Sequence, residues 1–375
     1  MGTRIERAEA VAVEVQLPAT FLGSTYSVPT RNTVITRLHT DDGLVSQVYN
    51  GDPPSAARTI AHTVTEELLP ALVGRSIFDH RALWAAMGDR VRHMRDKAVG
   101  MQSVACLDTA LWDLKGKALG TNVASLLGGN ATSVPAMAIA GYYAEGKTLD
   151  DLAEEMRGLG AAGVAGCKVK VGGRTPAEDA ERVAAARDGG GPGFALAVDA
   201  NRGWTVREAA DFAARIAHLD IKWFEEPCHW YADGEWMGQL ARRCPLPICA
   251  GQSEISSHGM HRLFAAGGVD VMNFDASEAG GPSEWQRAHA VAGMYGAGVG
   301  HHEEPQMAIQ LLASTPARTY VECFPDPDRD PVFAHMMTAG PRLGDGVISV
   351  PQRDGFGLEF DEDFVGRHTV EVCRS

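Results

Sequence analysis

Six polar residues recur along the chain at intervals that chemistry can use: Lys170 in CKVKVGG, Asp199 in AVDANRGW, Glu225 in WFEEP, Gln252 in PICAGQSE, Asp275 in NFDAS and His302 in GVGHHEEP. They are separated by 29, 26, 27, 23 and 27 residues, and each closes a short apolar run. Lys168 and Lys170 lie two apart, so on a strand they share a face. A lysine in an apolar strand needs an anionic partner, because desolvating its charge is expensive. Asp199 and Glu225 offer one, and with a third oxygen-bearing position they form a cage for a hard cation. Oxygen ligands without His or Cys favour Mg²⁺ over zinc. The third position is open between Gln252, which keeps the register but is neutral, and Glu254, which carries the charge one step nearer the loop. Asp275 and His302 form a candidate dyad in which the carboxylate orients the imidazole and raises its basicity. His301 is the other candidate for the inward imidazole, while Glu303, Glu304 and His229 read as loop residues near a mouth.

Two lysines on one side, a His–Asp pair on the other and a cation between them suit one reaction type. That reaction removes the proton α to a carboxylate, which is too weakly acidic for a lone amine. A divalent cation stabilising the enediolate supplies the missing charge. The surroundings are also expected to lower a lysine pKa enough for it to act as the base.

The elements that must position these groups are legible as a change of texture. Residues 9–50 alternate as strands, with Asp41, Asp42 and Gly43 as a hairpin turn. From 55 to 119 the pattern is helical, in runs at 55–72, 80–95 and 103–118. Beyond about residue 130, short apolar strands alternate with helical stretches, as in AMAIAG, GCKVKVG, FALAVDAN and IKWFEEP. Such alternation means βαβ units and a parallel sheet, and seven or eight units fit a closed (β/α) barrel better than an open sheet. One unit takes about the spacing seen above, so the six residues fall at the C-terminal ends of successive strands, which converge on one mouth. The glycine run DGGGPG at 188–193 precedes a strand and is therefore not a dinucleotide-binding turn.

The formal net charge of −14, with no stretch dense in Lys and Arg, argues against nucleic acid and anionic membranes as partners. No apolar run is long enough for a membrane span, and the N-terminal segment alternates like a strand instead of carrying the apolar core of a signal peptide. Seven cysteines without a CxxC pair are expected to be reduced core residues of a cytoplasmic protein.

In order along the chain, CLDTALWDLKGKALGTNVASLLGG, KVK, DANRGW, FEEP, FDASEAGG, GHHEEP and YVECF resemble the enolase superfamily, within it the mandelate racemase-like group and its acid-sugar dehydratases. The resemblance implies an α/β fold: a modified TIM barrel, (β/α)7β, with an N-terminal α+β capping domain. The capping domain is expected over 1–128, completed by the C-terminal segment 341–375, and the barrel over 129–340. It further implies Mg²⁺ bound by Asp199 and Glu225, Lys170 as the base with Lys168 beside it, His302 as the opposite-face acid/base and Asp275 as its partner. Glu322, in YVECF, matches the residue that hydrogen-bonds the substrate carboxylate. Gln252 departs from the family pattern, which has an acid there; this leaves Glu254 as the other candidate ligand. Keeping both the KxK lysine and the dyad implies dehydration of an acid sugar, an aldonate or aldarate, to a 2-keto-3-deoxy acid. Racemisation or epimerisation of an α-hydroxy acid is the alternative, and a non-catalytic binder on a degenerate barrel the second. Specificity is expected to lie in the capping loop LPATFLGSTYSVPTRN and in mouth loops such as HWYADGEW at 229–236. Members of the family are commonly symmetric, so a homo-oligomer is expected.

Overall fold

The computed structural model describes residues 3–375, so the first two residues of the expected capping domain lie outside it. Two long strands, β1 (Ile5–Leu22) and β2 (Ser27–Thr40), pair antiparallel, and the 41–43 turn leads back to β3 (Val48–Asn50) against β2. Helices α1 (Ala57–His62), α2 (His80–Val91) and α3 (Lys97–Leu119) cover this sheet, and the short α4 (Val123–Leu126) leads toward the second unit. The 23-residue α3 is buried along most of its length. It starts where Asp96 caps the amides of Ala98 and Val99, and it stops at Gly120 in left-handed backbone, the conformation glycine adopts without a Cβ penalty.

The second unit alternates strictly: β4 (Ser133–Ala140), α5 (Leu149–Ala161), β5 (Gly166–Lys170), α6 (Pro176–Gly190), β6 (Ala195–Asp199), α7 (Val206–Ile216), β7 (Ile221–Glu225) and α8 (Asp233–Ala241). It continues through β8 (Ile248–Ala250), α9 (Ser257–Ala265), β9 (Val271–Met272), α10 (Gly281–Tyr295), β10 (Gly298–Val299), α11 (Pro305–Ala313) and β11 (Val321–Cys323). All eight strands are parallel. The ring closes where β11 pairs with β4, and a single bridge from Val299 to Arg318 joins β10 to the segment before β11. Eight strands and seven helices make the expected (β/α)7β barrel. Three successive helices open with a full capping box: Thr148 with Asp151, Thr175 with Glu178, and Thr205 with Glu208. Each pair satisfies two otherwise unpaired amides, which fixes where the strand-to-helix loop ends.

The remaining chain divides its contacts between the two units. After β12 (Met337–Ala339), the hairpin of β13 (Leu343–Gly344) and β14 (Val347–Ser349) adds antiparallel to the start of β4. Beyond β15 (Glu359–Phe360) and α12 (Glu362–His368), β16 (Thr369–Arg374) joins β1 as the outer strand of the capping sheet. All seven cysteines are free, and no helix among the described residues is long and apolar enough to cross a membrane.

A buried arginine bolts the two units together. Arg31, on β2, places Nη2 at 2.6 Å from Glu304 and Nε at 3.0 Å from Asp330, and Nη1 donates to the carbonyls of Asn32 and Gly51. Every guanidinium nitrogen therefore has an acceptor, which is what makes a buried charge tolerable.

Candidate active site

Strand alternation fills the barrel in layers. Met137, Ala195, Ala197, Trp223 and Cys249 form an apolar plug inside it, and the next inward positions toward the C-terminal ends carry charge. Lys168 and Lys170 point inward from β5, while Cys167 and Val169 pack outward against the helices. Lys170 is paired in register with Asp199, and Asp199 with Glu225. Four of these groups and Glu322 form one ionic layer. Lys168 Nζ lies 2.6 Å from Glu225 Oε1, 2.7 Å from Glu322 Oε1 and 3.8 Å from Asp199 Oδ2, and Lys170 Nζ lies 2.8 Å from Asp199 Oδ2. Lys168 and Lys170 are thus buried, each against carboxylates.

The burial that should depress the lysines is overcome by those carboxylates, so both are held well above the usual lysine range. The expectation of a lowered lysine pKa is therefore not met in this arrangement, because Asp199 and Glu225 sit directly on the ammonium groups. Burial, with Glu322 and Asp199 nearby, in turn raises Glu225.

Above this layer opens a cavity of about 620 Å³. Lys170, Gln252, Asp275 and His302 line it from the barrel. His302 Nδ1 lies 2.9 Å from Asp275 Oδ2, and Asp275 Oδ1 accepts from the Ser277 amide and hydroxyl at 2.8 and 2.6 Å. Burial opposes charge on His302, but Glu303 and Asp275 outweigh it and raise its pKa well above the ordinary value. His301 turns away into the protein, where Nε2 accepts from the Ala276 amide and Nδ1 donates to the His302 carbonyl. Both partners have fixed roles, so His301 is the neutral Nδ1–H tautomer, consistent with the lowering that burial imposes on it.

Of the two open ligand positions, only Gln252 lines this cavity. Strand β8 ends at Ala250, and Gly251 has φ +138, where a Cβ would meet Met260 Sδ at 2.7 Å. That turn separates Gln252 from Glu254, which lies beside Arg262 and Gly259 and lines a separate small pocket. Gln252 Oε1 is buried without a hydrogen-bond donor. Together with the carboxylates at the ends of β6 and β7, Asp199 and Glu225, it could offer an all-oxygen set, and an orphaned amide oxygen is what a hard cation would satisfy.

The two halves of the chain match two family models. Residues 7–128 match the mandelate racemase/muconate lactonizing enzyme N-terminal domain, and residues 151–364 match the enolase C-terminal domain-like family. The chain belongs to the mandelate racemase/muconate lactonizing enzyme family of the enolase superfamily. The chain is similar to the D-galactarolactone cycloisomerase of Agrobacterium fabrum, at 29% identity over 94% of this chain and 95% of the relative. It is also similar to the arabinonate dehydratase of Saccharolobus solfataricus, at 31% identity over 70% of each. A mandelate racemase/muconate lactonizing enzyme from a marine actinobacterium, solved in complex with magnesium, is 38% identical. It superimposes with a TM-score of 0.91 over 99% of this chain and all of its own.

Several site residues gave no signal in the sequence reading. Asn273 donates to Glu225 Oε1 at 3.0 Å, Trp223 Nε1 to Glu225 Oε2 at 3.1 Å, and the Asn201 amide and side chain hold Asp199 at 2.8 and 3.0 Å. Asn273 and Trp223 each precede a charged strand-end residue by two, the same-face spacing that could have found them. Glu303 and Glu304 are more than loop residues. Glu303 donates its amide to Glu322 Oε2 at 3.0 Å, and Glu304 holds Arg31. Asn201, Arg202, Glu226, Glu303 and Glu304 all have φ between +37 and +63, and all line the cavity. Left-handed backbone costs a non-glycine residue roughly 1–2 kcal/mol, so the strain is concentrated where the site is built. The capping segment is a hairpin arm more than a loop: β1 and β2 run to its tip, where Ser24 Oγ bonds the Ala200 carbonyl at 2.8 Å and Thr25–Thr30 line the cavity. His229 and Trp230 also line the cavity, with Trp230 exposed.

Proposed function

We propose that this protein is a Mg²⁺-dependent hydro-lyase that removes the proton α to a carboxylate and dehydrates an acid sugar, an aldonate or aldarate, to a 2-keto-3-deoxy acid. The observation that carries the reading is the placement of Lys170 and the His302–Asp275 dyad on one cavity from β5 and from beyond β10, well apart around the ring. Asp199, Glu225 and Gln252 would hold the cation, and when bound it supplies positive charge to the substrate carboxylate as that becomes an enediolate.

The chain's own residues do the rest. Once Asp199 is no longer committed to its ammonium, Lys170 releases its extra proton to solvent, and the neutral amine takes the α-proton on Nζ. The C–H electron pair passes into the enediolate. It then expels the β-hydroxyl, which accepts a proton from the His302 imidazolium and leaves as water. Asp275 fixes that imidazole through Nδ1, leaving Nε2 as the donor. Lys168, held by Glu225 and Glu322 in the ionic layer beneath the cavity, keeps positive charge beside Lys170. The enol tautomerises to the 2-keto-3-deoxy acid.

A second reading rests on the same placement: two proton carriers on opposite sides of one α-carbon also suit racemisation or epimerisation. Incubating the enzyme and Mg²⁺ with a library of mono- and diacid sugars tests both. Formation of a 2-keto acid from at least one member is expected. Deuterium uptake at the α-carbon with configurational change and no keto acid would overturn dehydration in favour of the second reading, and neither outcome would leave a binder.

A further inference from the structure

Arg329 is a buried charge whose hydrogen-bonding capacity is incompletely met among the described residues. It follows β11 on the segment leading away from the barrel mouth and lines the 620 Å³ cavity, yet it is only 3% exposed. Its guanidinium lies 4.0 Å over the Phe324 ring and 5.8 Å from the rings of Phe21 and Tyr142. Its single side-chain hydrogen bond runs from Nε to the Tyr142 hydroxyl at 3.3 Å. Buried Nη1 has no partner, and among the described residues no carboxylate oxygen lies within 4.0 Å of it. Arg31 shows the contrast: it is as buried and has an acceptor on every nitrogen. Burial opposes the Arg329 charge, and Tyr142, Glu303 and Asp52 favour it from a distance, but no acceptor completes Nη1, and a buried donor left unpaired costs stability.

What completes it is read from its shape and place. The planar fork matches a carboxylate bidentately, and one good pair of this kind is worth far more than a hydroxyl contact. Glu303, in the same cavity, is turned toward His302 at 3.5 Å instead. Lys170 Nζ and the Arg329 guanidinium both flank the Tyr142 ring, at 6.0 and 5.8 Å from its centroid, so the two charges are at most about 12 Å apart. An extended six-carbon diacid separates its two carboxylate carbons by about 6 Å. Lys170 and Arg329 line the same cavity, so a substrate with one carboxylate at the ionic layer can direct its other end toward Arg329.

Resting on the proposed acid-sugar chemistry, we infer that Arg329 binds a second carboxylate at the far end of the substrate, so that the substrate class is the aldarates and not the aldonates. Arg329 is in this account a specificity-determining residue that does not touch the reacting carbons.

The test separates binding from turnover. Dissociation constants are measured by calorimetry, with Mg²⁺ present, for an aldonate and the aldarate of matching configuration, on the wild type, Arg329→Lys and Arg329→Gln. The wild type is expected to bind the aldarate at least tenfold more tightly. That ratio should fall toward one in R329Q and be partly kept in R329K. A wild-type ratio at or below one overturns the inference, as does a ratio that R329Q retains. If R329Q does not fold, the wild-type ratio and R329K decide. Keto-acid formation is followed separately: a tight aldarate that yields no keto acid defeats the dehydration reading while leaving the Arg329 assignment standing.

Discussion

Replacing Asp275 by Asn probes the dyad through a proton position, not through shape. Asp275 Oδ1 accepts from the Ser277 amide, which can only donate, and Oδ2 faces His302 Nδ1 at 2.9 Å. In the Asn variant the carbonyl oxygen must stay with Ser277, which turns the NH₂ group toward His302. Two donors cannot face each other, so Nδ1 tends to lose its proton and the imidazolium forms only at lower pH. A hydrogen bond to a charged group contributes about 1.5–3 kcal/mol, which is roughly one to two pKa units lost from His302 before the donor clash is added. Losing a general acid slows a reaction by about 10²–10⁴-fold. The assay is 2-keto acid formation alongside α-proton exchange in D₂O. Dehydration should fall by that factor while exchange, which belongs to Lys170, falls by much less. Dehydration within about threefold of wild type, a barrier change under 1 kcal/mol, would refute the assignment of His302 as the acid.

Other consequences are checkable with simple measurements. Because its neighbours raise His302 in the fold, dehydration should decline as pH rises through that elevated value, and D275N should move the decline to lower pH. The same proton links to stability: the folded state holds it more tightly, so its contribution is complete below the ordinary value of about 6.5 and lost as pH rises through the folded one. Urea midpoints across that range check it, and a flat profile contradicts it. Arg31→Met leaves Glu304 and Asp330 buried without their partner, so unfolding free energy should drop by about 3–5 kcal/mol; a loss below about 1 kcal/mol would show the bolt to be dispensable. Gln252→Ala should weaken Mg²⁺ binding on the order of tenfold by titration, whereas Glu254→Gln should leave it nearly unchanged. The reverse pattern would make Glu254 the ligand.

The sequence was informative where the physics is local. Parallel strands buried on both faces read as apolar runs, so a polar residue at each end stood out, and the 23–29-residue spacing gave the barrel. It was silent where geometry departs from a strand. Gln252 and Glu254 look equivalent only if β8 continues, but it ends at Ala250 and Gly251 redirects the chain. His301 and His302 are indistinguishable by composition, and their roles are decided by hydrogen bonds to Ala276 and Asp275 contributed from 25 and 27 residues away. Arg31 meets Glu304 across 273 residues, and Arg329 meets Tyr142 across 187. No periodicity encodes such pairings. The expected lowering of the lysines failed for a related reason: the carboxylates read as metal ligands are also their nearest counter-ions.

The central claim is that Lys170 removes the α-proton of a carboxylate substrate held over Asp199, Glu225 and Gln252. The direct measurement is exchange of that proton with D₂O, in the presence of Mg²⁺, by wild type, Lys170→Ala and His302→Asn. The account predicts exchange in wild type and H302N and none in K170A. Exchange that survives in K170A and vanishes in H302N would contradict it.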